Sequence, residues 1–246
     1  MARLVAVGAG GPAGLAAYAM IVTEPRYLRS LVSTVVLAAL VTVLTLVIAT
    51  IAGVFLQRNR FPGRSVLVAM LTFPLAFPGV VVGFMVIMLA GRQGLIGDLT
   101  RWVTGEKLVF AYSMAGLLTG YLYFSIPRVI LTVMAAAEKL DRRLEEAARS
   151  LGASAWRVIR DVIVPGLRPA FLSAGAICFA TAMGAFGTAF TLATEIEVLP
   201  MTIYTEFTLR ANIVVAAALS IILGGITWLA LALARTAAGS SVAAAA

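Results

Sequence analysis

The sequence contains no histidine and only one cysteine, Cys178. The absence of histidine removes the commonest general base and proton relay, and with it the zinc hydrolases and the serine–histidine nucleophiles. A lone cysteine can form neither an internal disulfide nor a cysteine-based metal site. The phosphate-binding pattern G-x-x-x-x-G-K followed by Ser or Thr is also missing. These absences argue against a hydrolase and against a chain that binds ATP by itself.

Charged residues are scarce as well. Only 12% of the residues are charged, 61% are hydrophobic, and the mean hydropathy is +1.02. Several uncharged apolar runs reach about 20 residues, the length that crosses the hydrocarbon layer of a membrane. A soluble domain would have to bury all of these runs, so we predict an all-α membrane protein made of a single domain, residues 1–246. Its six predicted spans are 4–22, 30–56, 66–90, 109–136, 171–194 and 213–234.

Helix breakers in the first and fourth spans affect how these spans are interpreted. The first lies in MARLVAVGAGGPAGLAAYAMIV, and we interpret it as a membrane helix because AYAMIVTEP is a poor cleavage site for a signal peptide. The fourth contains Pro127 and Arg128, so we expect a kink there and an early exit from the membrane interior.

Basic residues favour one side of the predicted membrane. With the N-terminus in the cytoplasm, the inner loops receive twelve Lys and Arg residues, whereas the outer loops receive six that are matched by six acids. This bias predicts that both termini are cytoplasmic. It also explains the net charge of +8 without nucleic acid binding, because the basic residues are scattered between apolar runs.

The longest cytoplasmic connection, 137–170, carries helix signals of its own. Asp141 can cap a first helix, and Gly152 can end it in the left-handed conformation. Ser154 can cap a second, short helix, which Pro165 is expected to stop. The apolar stripe of that second helix consists of Trp156, Ile159 and Ile163. We therefore expect two short helices joined at a glycine turn.

A basic, amphipathic linker lying on lipid headgroups is one interpretation of this loop. A docking site for another protein is the other. The second is favoured by the small residues Ala147, Ala148, Gly152 and Ala153, which give up lipid-facing area but allow a protein surface to approach closely.

The spacing of these small residues matches a known motif. The sequence has Glu-Ala-Ala at 146–148, then Gly152, Val162 and finally Val164-Pro165. It resembles the EAA loop of bacterial ABC importer permeases, E-A-A-x3-G-x9-I-x-L-P, with Val at both apolar positions. Residues 126–154 and 184–207 further resemble the polyamine, ferric iron and phosphonate branch of these permeases.

The resemblance implies the type I ABC importer permease fold in the bacterial inner membrane. It also implies partners: a second permease subunit (a heterodimer or a homodimer), two cytoplasmic ATPases and an extracytoplasmic substrate-binding protein. ATP and magnesium would be bound by the ATPases, so no cofactor or metal is expected in this chain. The residues expected to form the coupling surface are Glu145, Glu146, Ala147, Ala148, Gly152, Ala153, Trp156 and Pro165.

Candidate residues for the solute pathway follow from breaks and polar groups near the membrane. FPLAFPGVVVGF at 73–84 and GAFG at 184–187 interrupt apolar spans, and broken backbone at that depth is tolerated only within protein or beside a cavity. The acids of the outer loop suggest a cationic solute such as a polyamine, although a solvated loop that offsets nearby arginines explains them equally. The candidates are Phe77, Pro78, Tyr123, Phe186, Glu195, Glu197, Tyr204 and Glu206.

Other functions remain open from the residues alone. A carrier driven by protons or sodium is disfavoured because no acid lies within a predicted span. A membrane protein that uses 137–170 only as a docking platform, for assembly or for catalysis, is the competing class. The transported solute is also open, with phosphonate, ferric iron or another small anion or organic solute as alternatives to polyamine.

Overall fold

The computed structural model describes residues 14–192 and 196–238, and every regular element in these ranges is helical. The helices of the first half are α1 (Gly14–Thr23), α2 (Pro25–Arg58), α3 (Arg64–Thr72), α4 (Gly79–Ala90), α5 (Leu95–Thr104) and α6 (Met114–Lys139). Those of the second half are α7 (Arg142–Ser150), α8 (Ala155–Val158), α9 (Val164–Met183), α10 (Phe186–Leu192), α11 (Leu199–Tyr204) and α12 (Ile213–Ala238). Turns of π-helix at Ile159–Ile163 and Thr205–Leu209 follow α8 and α11.

Five helical stretches in the described part of the chain are long and apolar enough to cross a membrane. They are Pro25–Arg58, Gly79–Thr104, Met114–Lys139, Ala155–Met183 and Ile213–Ala237. They overlap the second to sixth predicted spans. The first predicted span is described only from Gly14 onward, as the ten-residue helix α1, and the remainder lies outside the described residues.

Helix α2 is apolar all round its surface, because one side packs inside the bundle and the other is exposed. Its buried positions recur every three or four residues and include the small residues Ala38, Ala49 and Gly53. A Cβ added at Gly53 would lie 2.9 Å from Cγ1 of Val133, so the absence of a side chain is what allows α2 and α6 to pack closely. The opposite side of α2 exposes large apolar residues such as Val36 and Ile51, as suits a surface in contact with lipid.

Contacts at the two ends of α2 define the two ends of the bundle. At its start, Ser30 and Thr202 share a hydrogen bond of 2.7 Å between their hydroxyl groups. At its finish, Arg58 forms an ion pair with Glu145 of α7. We call the end at Arg58 and Glu145 the EAA end, because Glu145 belongs to the EAA loop. The end at Ser30 and Thr202 is called the opposite end.

The third predicted span, 66–90, is interrupted as expected. A turn of 3-10 helix at Phe73–Ala76 and the extended residues Phe77 and Pro78 separate α3 from α4. The crossing nevertheless connects both ends of the bundle. Arg64 bonds the carbonyl of Leu56 near the EAA end, and the carbonyl of Ala90 accepts from the backbone at 110 and 111.

Prolines in the fourth and fifth spans do not interrupt the helices. Helix α6 passes Pro127 and continues to Lys139; a proline removes one backbone hydrogen bond, and the packing of α6 against α2 supports the rest. Pro165 does not stop the second loop helix either. It lies directly after the π-helical turn at Ile159–Ile163, and the helical stretch that starts at Ala155 continues past it to Met183.

Candidate functional site: the EAA loop and the broken helices

The first helix of the EAA loop, α7, has both predicted caps. The Asp141 carboxylate accepts a hydrogen bond of 2.9 Å from the backbone N–H of Arg143. At the other end Gly152 has a φ of +82°, a conformation that favours glycine. The N–H groups of Gly152 and Ala153 bond the carbonyls of Arg149 and Ala148, which is the Schellman arrangement. Local sequence therefore determines where this helix begins and ends.

The two adjacent acids of α7 have different surroundings. Glu145 is buried and forms the ion pair with Arg58, whereas Glu146 is exposed. Arg58 also donates to the carbonyl of Leu140 at 3.4 Å, and Arg142 donates to that of Gln57 at 3.4 Å. These contacts attach α7 to the end of α2, so that movement of one helix is transmitted to the other.

The outward surface of the loop is partly apolar. Leu144, Leu151 and Trp156 are 55%, 89% and 68% exposed, and Ala147 is exposed on the same face of α7 as the two leucines. Leu144 and Leu151 were missed by sequence reasoning, although their spacing of seven residues places both on one helical face. Together with Glu146 these residues form an exposed surface that we call the docking face: Leu144, Glu146, Ala147, Leu151 and Trp156.

The stripe predicted for the second loop helix is wrong. Trp156 and Ile159 are exposed, while Val158 and Ile163 are buried. The reason is the π-helical turn at Ile159–Ile163, whose wider spacing aligns residues five positions apart. Ser154 does cap this helix as predicted, accepting from the N–H of Arg157 at 3.4 Å.

The remaining small residues of the motif face the bundle. Ala148 and Ala153 are half-buried and pack against the main hydrophobic core. A Cβ on Gly166, next to Pro165, would lie 2.5 Å from a methyl group of Leu140, so the start of α9 packs closely on the loop. The motif thus has an inner side that holds the loop to the bundle and an outer side that remains available.

The two predicted breaks lie against each other. The Thr188 hydroxyl on α10 donates to the carbonyl of Gly79 at 2.9 Å, and that of Thr191 donates to the carbonyl of Val80 at 3.3 Å. A Cβ on Gly83 would lie only 2.6 Å from Cβ of Thr191. Side-chain hydroxyls therefore join the two breaks to each other, so that each break lies against protein, as broken helices inside a membrane require.

Aromatic residues lie next to this junction. Phe186, Phe190 and Tyr204 form a cluster with ring centroids 5.3 to 5.5 Å apart. Two of the three were predicted as pathway residues. Phe77 is half-buried and stacks edge-on against Phe73, while Pro78 is exposed.

Tyr123 does not provide the tyrosine contact to this region. It is half-buried, and Tyr121, two residues earlier, is the side chain that donates to the carbonyl of Ala185 at the second break. The periodicity of α6 could have distinguished the two, because Tyr121 shares the buried face with Leu117 and Ser125.

Glu197 and Glu206, the two described acids among the candidate pathway residues, are paired with arginines. Glu206 is 1% exposed and contacts both Arg210, at 3.0 Å, and Arg26, at 3.8 Å. Glu197 lies 3.9 Å from the same Arg26. Glu195 lies outside the described residues. These pairs neutralise the negative charge and attach the loop to the start of α2, so Glu206 holds structure rather than lining an open path.

A metal centre was not expected in this chain. Within residues 14–192 and 196–238, no group of three or more Cys, Asp or Glu side chains is placed to hold a metal ion.

Comparisons with known proteins identify relatives over most of the chain. The family model described as "Binding-protein-dependent transport system inner membrane component" matches residues 45–236. Sulfate permease 2 of the Chlamydomonas reinhardtii chloroplast is 33% identical over 213 residues, which cover 84% of this chain but 57% of that protein. The molybdenum transport system permease protein of Escherichia coli K12 is 32% identical over 190 residues, which cover 76% of this chain and 82% of that protein.

A solved structure has the same fold. In the bacterial alginate ABC transporter in complex with an alginate pentasaccharide-bound periplasmic protein, one chain superposes with a TM-score of 0.76 at 14% sequence identity. The match covers 95% of this chain and 84% of that one. The EAA loop and the broken helices therefore belong to a known membrane architecture.

Proposed function

Because this chain belongs to the family of binding-protein-dependent transport system inner membrane components, we propose that it forms half of the path by which an ATP-driven importer carries a tetrahedral oxyanion such as sulfate or molybdate. Its role as a permease subunit of an ABC importer follows from the family and the relatives. The choice of solute, the subunit partners and the orientation in the membrane are the proposed part.

The solute assignment is carried by the relatives. One is a sulfate permease and another belongs to a molybdenum transport system, and molybdenum in aerated water is the tetrahedral anion molybdate. The polyamine expectation finds no support among them. Its physical basis is also weakened, since Glu197 and Glu206 are paired with Arg26 and do not offer free negative charge.

Coupling to an ATPase is supported by the docking face. Leu144 and Leu151 are exposed outside the stretches long enough to cross a membrane, and Trp156 is exposed at the very start of one of them. Such exposed side chains are characteristic of a protein interface, where aromatic residues contribute much of the binding free energy. Glu146 is also exposed, next to Ala147 in the chain, and offers a carboxylate to a basic residue of a partner. We place this face in the cytoplasm, consistent with the excess of basic residues in the loops at the EAA end.

A second permease subunit completes the path. Two such subunits would form a path between them, and the broken helices and the aromatic cluster are our candidates for its lining. A substrate-binding protein would deliver the anion at the opposite end, as the periplasmic protein in the alginate transporter structure suggests.

Transport in a purified system tests the solute. The complete importer, with its second permease, ATPases and binding protein, is reconstituted in proteoliposomes with ATP inside. We expect ATP-dependent uptake of radiolabelled sulfate or molybdate and none of spermidine. Omission of the binding protein and an ATPase variant unable to hydrolyse ATP are the controls. Uptake of spermidine without either oxyanion would refute the assignment.

Co-purification tests the coupling role separately. A tagged permease should bring its ATPase with it in stoichiometric amount. A docking protein with no transport role would not recruit an ABC ATPase. If no ATPase co-purifies under conditions that keep the permease folded, that result would support the competing class.

A further inference from the structure

One charged side chain lies deep in the predicted membrane. Arg128 is on α6, which begins at Met114 and ends at Lys139. At 1.5 Å per residue it lies about 21 Å from the start of the helix and about 16 Å from its end. The hydrocarbon layer is about 30 Å thick, so Arg128 lies near its middle.

The guanidinium of Arg128 is not enclosed by the bundle. The residue is exposed, although its neighbours Pro127, Val129 and Ile130 are buried. Its Nη1 donates to the Thr181 hydroxyl of α9 at 3.2 Å. Within the described residues it has no carboxylate within ion-pair distance, in contrast to Arg26, Arg58 and Arg210, which have one each or more.

The surroundings of Arg128 are polar for a membrane-depth surface. Thr132, one turn later on α6, is exposed and its hydroxyl bonds the carbonyl of Arg128 at 3.0 Å. Thr181 in turn donates to the carbonyl of Ile177 at 2.6 Å, which leaves its oxygen lone pair for Arg128. The hydrogen bond to Thr181 directs the arginine toward α9 and leaves it donors to spare, since a guanidinium carries five N–H groups.

A cation at this depth does not face acyl chains, because the lack of hydration makes that position costly; such residues face a water-filled path or a protein partner. The exposed surface formed by α6 and α9 around Thr181 is thus part of the path or of the subunit junction that surrounds it. A planar guanidinium with free donors matches the oxygens of a sulfate-like ion, and binds them in pairs.

We propose that Arg128 is an anion-binding residue of the translocation path, which contacts the oxyanion at mid-membrane and is oriented by Thr181. The proposal rests on the proposed function and adds a site to it. A single exposed cation attracts the anion without enclosing it. The anion can therefore also leave the site, as transport requires.

Charge substitution in the complete importer tests this site. The variants are Arg128→Gln and Arg128→Lys, and the matched control is Arg92→Gln, an exposed arginine in the turn between α4 and α5. We expect Arg128→Gln to lower sulfate or molybdate uptake at least tenfold. Arg128→Lys should retain a third or more, and the control should match the unaltered importer. Complex yield and ATP hydrolysis without binding protein should be equal in all four proteins.

Thiol labelling tests where the residue faces. Cys178 is 3% exposed and is the only cysteine, so Arg128→Cys in a Cys178→Ala background carries one accessible thiol. A methanethiosulfonate reagent that adds an ammonium group should restore uptake at least threefold, and one that adds a sulfonate should not. Excess molybdate should slow the labelling. A residue with a purely structural role would show neither the sign dependence nor the protection.

The outcomes separate the two proposals. If the unaltered importer moves neither oxyanion, the proposed solute is wrong. If it moves one and Arg128→Gln moves it equally well, or if the introduced thiol reacts with neither reagent, the solute assignment stands and the Arg128 site is refuted.

Discussion

The ion pair between Arg58 and Glu145 allows a quantitative prediction about the EAA loop. Both side chains are largely enclosed, with 15% and 10% of their surface exposed. Replacing Glu145 by Gln keeps the shape and removes the charge, so that Arg58 is left with only neutral acceptors among the described residues: the new amide oxygen and the carbonyl of Leu140. Breaking one side of a buried pair costs about 3–5 kcal/mol.

We expect a cost slightly below that range, because the pair lies at the edge of the bundle and water can reach the freed cation. A loss of about 2–3 kcal/mol corresponds to a factor of about 30 to 150 in the equilibrium that holds α7 against α2. The rest of the bundle, which is held by apolar packing, should be unaffected.

Amide hydrogen exchange measures this equilibrium directly. In Glu145→Gln, amides of residues 145–150 should exchange about 30 to 150 times faster by the same conversion, while those in the middle of α6 should not change. Glu146→Gln is the matched control, since that side chain is exposed and its loss should leave exchange in α7 as it was. Uptake per ATP hydrolysed should fall in Glu145→Gln because α7 no longer moves rigidly with α2.

A double apolar replacement tests whether the loss of protection in Glu145→Gln comes from the unpaired charge of Arg58. Arg58→Met combined with Glu145→Leu fills the same space without charge, and such replacements of buried pairs are often neutral or stabilising. The double variant should recover most of the lost protection. Exchange in Glu145→Gln equal to that of the unaltered protein would refute the claim that this pair holds the loop.

Further predictions concern the docking face and the junction of broken helices. Glu146→Ala and Leu151→Ala should each reduce co-purification of the ATPase while the permease stays folded in the membrane; normal yield of ATPase in both would argue against this face as the contact. Gly152→Ala should destabilise the end of α7 by about 1–2 kcal/mol, because φ is +82° there, and should raise exchange only in the loop. Gly83→Val should lower thermal stability by more than Gly225→Val, because a Cβ at 83 meets Thr191 at 2.6 Å whereas nothing lies within 4 Å of one at 225.

The EAA loop shows how far local sequence information reaches. Asp141, Ser154 and Gly152 act on residues within a few positions of themselves, so their roles as caps could be predicted and are confirmed. The course of the chain after Ser154 could not be predicted in this way. The π-helical turn at Ile159–Ile163 places Val158 and Ile163 inside, which depends on how α9 packs against the bundle rather than on a local signal.

The candidate pathway shows the same limit. Glycine and proline content was enough to predict both breaks, at 73–84 and at 184–187. Their contact depends on hydrogen bonds between residues more than 100 positions apart, such as Thr188 to Gly79. The acids were a less reliable guide, because Arg26, which joins the nearby Arg210 in neutralising Glu206, reaches it only when α2 packs against the segment after α11.

The sequence by itself determined that this protein lies in a membrane, roughly where its spans fall, and that a capped, partly exposed helix precedes the fifth of them. Hydropathy and capping are properties of short stretches, so they can be recognised without the fold. Only the tertiary structure decided that Glu145 faces inward and Glu146 outward, and that Arg128, near the middle of α6, is exposed. Those facts depend on which helices pack together, and packing depends on contacts between residues far apart in the chain.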